Sequence, residues 1–215
     1  MLEAKLNREQ VIKAYTANAP IYDIWAMLTE SRARRQAIEF AQVRDGESIL
    51  EVAVGTGQCF YELVRQNPSG INRGVDLTPA MVERSKKRIA QLPGDHSITQ
   101  ANAASLPFAD DSFDLLVNNY MFDLMPEEGF VEQLLEFKRV LKPQGRLVMS
   151  NMARPRHGHH ALYETVYKLS PSLMGGCRGV ELAPALAEAG FSVQAHRYLS
   201  QMGFPSEVVL ATVGA

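Results

Sequence analysis

The stretch Ile49-Leu50-Glu51-Val52-Ala53-Val54-Gly55-Thr56-Gly57 constrains this chain most. A buried-strand run ends in an acid and breaks into a glycine turn. Such a turn lets a ligand approach bare backbone at the C-terminal end of a strand, where open α/β sheets bind ligands. Asp76 follows Gly57 by 19 residues and closes a second apolar run, 71–75. A carboxylate at that spacing suits the two hydroxyls of a ribose. Together the two features point to an adenosine-type ligand.

The order of elements agrees. Strands are expected near 48–53, 71–75, 97–101, 113–118 and 145–150, with helices near 57–66, 79–92 and 126–141 between them. Pro79 suits the first turn of its helix, whose Met81, Ser85 and Ile89 share one face. Phe130, Leu134, Phe137 and Leu141 form a core-facing stripe, and Lys142-Pro143-Gln144-Gly145 stops that helix. Strand–helix alternation predicts an α/β, doubly wound, mostly parallel sheet. Helices near 158–169 and 180–189 precede two strand-like runs, Phe191 to Leu199 and Val208 to Val213. The link between these runs is too short for a crossover helix, so they are expected to be antiparallel neighbours. Residues 7–44 read as two helices before the first strand, Asn7 to about Asn18 and Ser31 to Gln42. The whole is expected to be one domain, with 1–44 as a helical cap and about 151–180 as a further cover.

A dinucleotide turn needs Gly-x-Gly-x-x-Gly/Ala. Counting from Gly55 the third position is Phe60, and counting from Ala53 it is Gln58. Neither allows the close helix–strand approach that the third glycine provides, which argues against a nicotinamide oxidoreductase. No Gly-Lys-Ser/Thr of a P-loop follows Gly57. A pyrophosphate ligand is therefore disfavoured. A nucleoside without phosphates, S-adenosylmethionine (SAM), remains.

Net charge is −2, which gives no general electrostatic reason to bind nucleic acid or anionic membrane. No apolar run reaches the length of a membrane span, and the polar start lacks the core of a signal peptide. Cys59 and Cys177 make no disulfide framework and suit a reducing compartment. The expectation is a soluble, cytoplasmic protein of unassigned oligomeric state.

Several motifs carry a resemblance over nearly the whole chain. They are Tyr22-Asp23, the 50–57 run, Val75-Asp76-Leu77-Thr78 with Met81, Asn102 to Phe108, Ser112-Phe113-Asp114, Leu141 to Leu147, and Ala189-Gly190-Phe191. In this order they are similar to the class I SAM-dependent methyltransferases. The similarity is to the ubiquinone/menaquinone-biosynthesis C-methyltransferase group in particular, and to its phospholipid N-methyltransferase relatives. The resemblance implies a Rossmann-like, seven-stranded sheet with an antiparallel last strand. It also implies that Ala53, Gly55 and Gly57 pass along the methionine part of SAM and Asp76 holds the ribose. Leu77 and Met81 would pack on the adenine. Asn102, with Ala103, stands where the family usually has an Asp that accepts from the adenine amino group. Asn118 and Asn119 would meet the cofactor's amino-acid portion and the acceptor. Tyr22 matches the tyrosine of the cap, as a cofactor or acceptor contact and candidate catalytic group or as a merely packed ring. Ala53 replaces the usual first glycine, and Gln144 replaces a glycine in what reads as a surface turn.

Catalytic residues are less legible, because methyl transfer draws mainly on proximity and exclusion of water. Tyr120, Phe122, Asp123 and Met125 follow the fourth strand and should line the acceptor side, Asp123 as a proton acceptor, a helix cap or a solvated charge. His157, His159 and His160 form the densest histidine run and compete as a base or acceptor contact against a solvated loop. A metal site there lacks partners of matching spacing. Arg154 and Arg156 bracket the same loop and would suit an acidic acceptor or a lipid phosphate. Asp114 starts its strand at the end away from the ligand and reads as structural. The leading expectation is C- or O-methylation of a small apolar or aromatic, or lipid-like, acceptor. Phospholipid or other amine N-methylation is the alternative within the class. A non-catalytic SAM-binding partner subunit is the alternative from another class.

Overall fold

The computed structural model describes residues 23, 26–154 and 177–214. The expected helices near 7–18 and 158–169 lie outside them, and so does most of both expected covers. Seven strands form one sheet: β1 (Ser48–Val52), β2 (Ile71–Asp76), β3 (Asp95–Gln100), β4 (Phe113–Asn119), β5 (Leu141–Met152), β6 (Phe191–Gln201) and β7 (Phe204–Val213). The strand order is β3-β2-β1-β4-β5-β7-β6. β1 to β5 pair in parallel, and β7 runs antiparallel to both β5 and β6. Met202 and Gly203 (φ 49° and 78°) make the two-residue turn between β6 and β7. Two left-handed residues match the twist of the strands they join. The order of the sheet reverses between β1 and β4, so a crevice opens at the C-terminal ends of those strands.

Among the described residues five helices cover the sheet: α1 (Ser31–Ala41), α2 (Gln58–Gln66), α3 (Pro79–Ile89), α4 (Phe130–Val140) and α5 (Ala183–Glu188). On one face Ile49, Leu115, Val117 and Val148 pack with Phe60, Leu63 and Val82. α1 joins them through Ala33, Ala37 and Ala41, spaced so that three small side chains share one stripe and the helix lies close to the sheet. On the other face Leu50, Leu116, Leu147 and Met149 meet Phe130, Leu134 and Phe137 of α4 and Leu186 of α5. The α4 stripe is thus as expected, except that it ends at Val140.

Three expected boundaries move. The helix expected over 126–141 is a 3₁₀ turn, Glu127–Gly129, followed by α4. Leu141 already belongs to β5, opposite Phe113, and the next pair is Leu115 with Arg146. Two steps along β4 therefore oppose five along β5, a bulge that takes in Pro143, which has no N–H to give to the ladder. The helix expected over 180–189 shortens to α5, because Val180 forms a parallel bridge with Ala153 instead. No helix among the described residues is long and apolar enough to cross a membrane.

Candidate functional site

Three residues of the turn after β1 are left-handed: Ala53 (φ 62°), Gly55 (φ 53°) and Gly57 (φ 80°). They do different things. A Cβ on Gly55 would meet nothing within 4 Å, so its backbone borders open space. A Cβ on Gly57 would lie 2.8 Å from Ser85 Cβ of α3, so this glycine serves helix packing. Gly57, expected beside Gly55 as a ligand-approach residue, does not line the cavities at the crevice. Ala53 holds a left-handed conformation that favours glycine, at a cost on the order of 1 kcal/mol. Ala53→Gly is expected to raise the melting temperature by about 1–3 °C, after the added entropy of the unfolded chain is subtracted. An unchanged or lower midpoint in a thermal melt would show that the methyl group has compensating contacts.

Two cavities meet at this turn. The larger, about 420 Å³, is lined on one side by Gly55, Asp76, Leu77, Met81, Asn102 and Ala103. Its other wall is Tyr120, Met121, Leu124, Met125 and Pro126. The smaller, about 60 Å³, is lined by Glu30, Arg34, Glu51, Gln58 and Cys59 among others. Ala53, Gly55, Asn119 and Tyr120 line both. Eight of the expected cofactor residues thus come together: Ala53, Gly55, Asp76, Leu77, Met81, Asn102, Ala103 and Asn119.

Asp76 is nearly buried, and its two oxygens accept from Gly55 N and Thr78 N, each at 2.8 Å. Burial raises its pKa, and the amides of Thr78 and Gly55 only partly oppose this. The carboxylate therefore ties the end of β2 to the turn after β1. Asn102 is exposed, and its Oδ1 accepts from Ala104 N at 3.3 Å.

Asn118 does not line either cavity. Its Nδ2 donates to Val52 O at 3.0 Å, because neighbouring strand residues face opposite sides of a sheet. Phe122 and Asp123 are also corrected. Phe122 packs at 5.0 Å from Phe130 in the core, and Asp123 is fully buried with Oδ2 accepting from Met152 N. Burial pushes Asp123 up to about 7, but neither residue lines the cavity. Both lie in a 3₁₀ turn, whose tighter spacing brings Leu124 and Met125 to the wall in their place. Asp114 is structural as expected, accepting from Ser48 N and Lys142 Nζ. Tyr22, His157, His159, His160 and Arg156 lie outside the described residues. Arg154 pairs with Glu181 at 3.1 Å and Glu127 at 3.5 Å. Among the described residues no group of acids, histidines and cysteines could hold a metal ion.

Glu51 is the residue that sequence reasoning missed. It is 1% exposed, its Oε1 accepts from Asn119 Nδ2 at 3.4 Å, and its Oε2 has no hydrogen bond. Burial pushes its pKa up to about 8, and the bonds from Asn119 and Cys59 do not offset that. A charged residue type inside a strand run was the available signal. An unpartnered buried carboxyl oxygen at a cavity wall is an acceptor waiting for a donor or a cation. Tyr120, buried at φ 51°, is a second strained residue where the cavities join.

A mostly parallel sheet with a crevice at its reversal point and a carboxylate at the end of β2 is a Rossmann-like architecture. A family of methyltransferase domains matches residues 49–145. The demethylmenaquinone methyltransferase of Thermus thermophilus is 30% identical over 200 residues, covering 82% of this chain and 90% of that protein. The ubiquinone/menaquinone biosynthesis C-methyltransferase UbiE of Geobacter sulfurreducens is 29% identical, covering 96% and 80%. The solved [4+2]-cyclase SpnF superposes with a TM-score of 0.77 at 17% identity, over 97% of both chains. At that identity the likeness speaks for the fold alone, and one fold hosts several chemistries. The chain belongs to the class I SAM-dependent methyltransferases of the UbiE type. It is an enzyme that uses SAM.

Proposed function

We propose that the protein methylates a small, apolar or aromatic acceptor at carbon or oxygen, of the quinone-ring class named for its relatives. The observation that carries this reading is the wall of Tyr120, Met121, Leu124, Met125 and Pro126 continuing from the nucleoside site. Among the described residues of the larger cavity Asp76 is the only carboxylate, and there is no Lys, Arg or His. An acceptor bearing an ammonium group would find no second acid among them. Met121 and Met125 suit a flat ring, since thioethers pack well on aromatic faces.

The residues present fit SAM. SAM supplies an electrophilic methyl group carried on a sulfonium. Asp76 would accept from the ribose hydroxyls, Leu77 and Met81 would pack on the adenine, and Asn102 would accept from its amino group. Glu51, Asn119 and Arg34 line the smaller cavity and would take the amino-acid end there, Glu51 facing the ammonium and Arg34 the carboxylate. Tyr120 and the apolar wall exclude water and orient the acceptor, which is most of what a displacement at methyl needs.

The test is methyl transfer from radiolabelled SAM to a demethylated naphthoquinol, with phosphatidylethanolamine as the competing acceptor. Label on the quinol supports the reading, and label only on the lipid amine overturns it. Asn102→Asp is expected to keep or tighten binding of S-adenosylhomocysteine. A charged oxygen accepts more strongly, both from the adenine and from Ala104 N. A tenfold loss in calorimetry would remove Asn102 from the adenine site.

A further inference from the structure

Asp23, a carboxylate that lines neither cavity, has three side-chain hydrogen-bond partners. Asp23 Oδ1 accepts from Thr56 Oγ1 at 2.5 Å and Gln58 Nε2 at 2.7 Å. Its Oδ2 accepts from Arg88 Nη2 at 2.6 Å. Arg88 Nε in turn donates to Thr56 O at 2.7 Å. Asp23 lies 32 residues upstream of Gly55 in the chain, and Arg88 belongs to the last turn of α3. Four bonds thus close a ring through three distant parts of the sequence, and the turn that borders the cavities is its centre. Partial burial would raise the Asp23 pKa, but the bonds from Thr56, Gln58 and Arg88 outweigh it and hold the carboxyl below its ordinary range.

The turn needs such a hold. Ala53, Gly55 and Gly57 are all left-handed, so the turn is conformationally costly and glycine leaves it many alternatives. On one side Gly57 is set against Ser85 of α3. On another Gly55 N is held by Asp76. The side chains of Thr56 and Gln58 both donate to Asp23, and Arg88 holds the Thr56 carbonyl.

We propose that Asp23 is a positioning residue. With Arg88 it locks the 55–58 turn in the shape that presents Gly55 to the cofactor, and the affinity for the cofactor depends on that lock. The lock itself stands on geometry alone, and its effect on affinity rests on the assignment of the cavities to SAM. Reciprocity follows: if a closed lock favours the cofactor, the bound cofactor favours the closed lock.

The experiment uses the full chain with and without S-adenosylhomocysteine. Amide hydrogen exchange is measured on the wild type, Asp23→Ala, Asp23→Asn, Arg88→Met and the double variant Asp23→Ala/Arg88→Met. Without ligand, Asp23→Ala is expected to speed exchange at residues 55–58 about tenfold while β1 and β4 change less than twofold. In calorimetry the ligand should bind about tenfold more weakly to Asp23→Ala. Asp23→Asn should lie between Asp23→Ala and the wild type, because one amide oxygen still accepts. The double variant should lose no more affinity than the worse single variant, since both break one ring. Unchanged exchange at 55–58, an equal rise across the whole sheet, or additive losses would overturn the proposal. A wild type that fails to bind the ligand overturns the cofactor assignment instead, and the exchange measured without ligand still decides the lock.

Discussion

Asp76→Ala is expected to weaken binding of S-adenosylhomocysteine at least tenfold and up to several hundredfold. Two losses add. The first is of hydrogen bonds from the ribose hydroxyls to a charged acceptor, about 1.5–3 kcal/mol each. The second is of the tether itself, because Gly55 N and Thr78 N each lose an acceptor at 2.8 Å. A buried amide left without a partner costs on the order of 1–3 kcal/mol, so the turn loosens as well. Asp76→Asn separates the two effects. Its single carbonyl oxygen can satisfy either Gly55 or Thr78, not both, and its NH2 group opposes whichever donor is left. Calorimetry should therefore place Asn close to Ala. Affinity equal to wild type in either variant would end the ribose assignment.

The second large effect concerns Glu51 and pH. Its carboxyl is raised from an ordinary 4.5 to about 8 by burial. Between those values the folded chain holds a proton that the unfolded chain has lost. Stability therefore falls as pH rises through this window, by a total on the order of 5 kcal/mol for this group. Asp123, raised to about 7, adds a loss of the same sign over the lower part of that range. Glu51→Gln keeps the shape and the neutral state. Urea unfolding should find it as stable as wild type near pH 5 and more stable at pH 8.5. Binding should show the opposite. An ammonium beside Glu51 favours its ionised form, so below pH 8 wild-type binding expels a proton and tightens as pH rises. Glu51→Gln should bind about tenfold more weakly and expel no proton there. Calorimetry in buffers of different ionisation enthalpy reads that proton. Equal affinities and no wild-type proton release would take Glu51 out of the cofactor site.

Parts of the site were legible because local chemistry dictates them. Gly55 and Asp76 follow from the spacing of a strand, a turn and a second strand. Met81 follows from the face of α3 it shares with Ser85. Gly57 read as the same kind of residue as Gly55, since both need a left-handed backbone. Only the position of Ser85 separates their roles. Asn118 and Asn119 are adjacent and chemically identical. A half-turn of the strand sends one to Val52 O and the other to the cavity. Asp123 looked like a mouth carboxylate because it follows β4 directly, and a 3₁₀ turn carries it into the interior. Glu51 was passed over because an acid within a strand has no local partner to name.

The alternation of apolar runs, helical stripes and turn residues by itself determined the α/β class, the parallel core and the antiparallel end. These depend on interactions between near neighbours and on chain connectivity, which a linear pattern records. The glycine turn and the acid after β2 likewise announced a nucleoside without phosphates. Tertiary structure decided what distant residues do to each other. It brought Glu51, Arg34 and Asn119 around one small cavity, and joined Asp23, Thr56, Gln58 and Arg88 in one ring. It also turned Asp123 away from the site. Burial and hydrogen bonding between remote segments set those outcomes. Their energies depend on distances of a few ångströms that no spacing along the chain specifies.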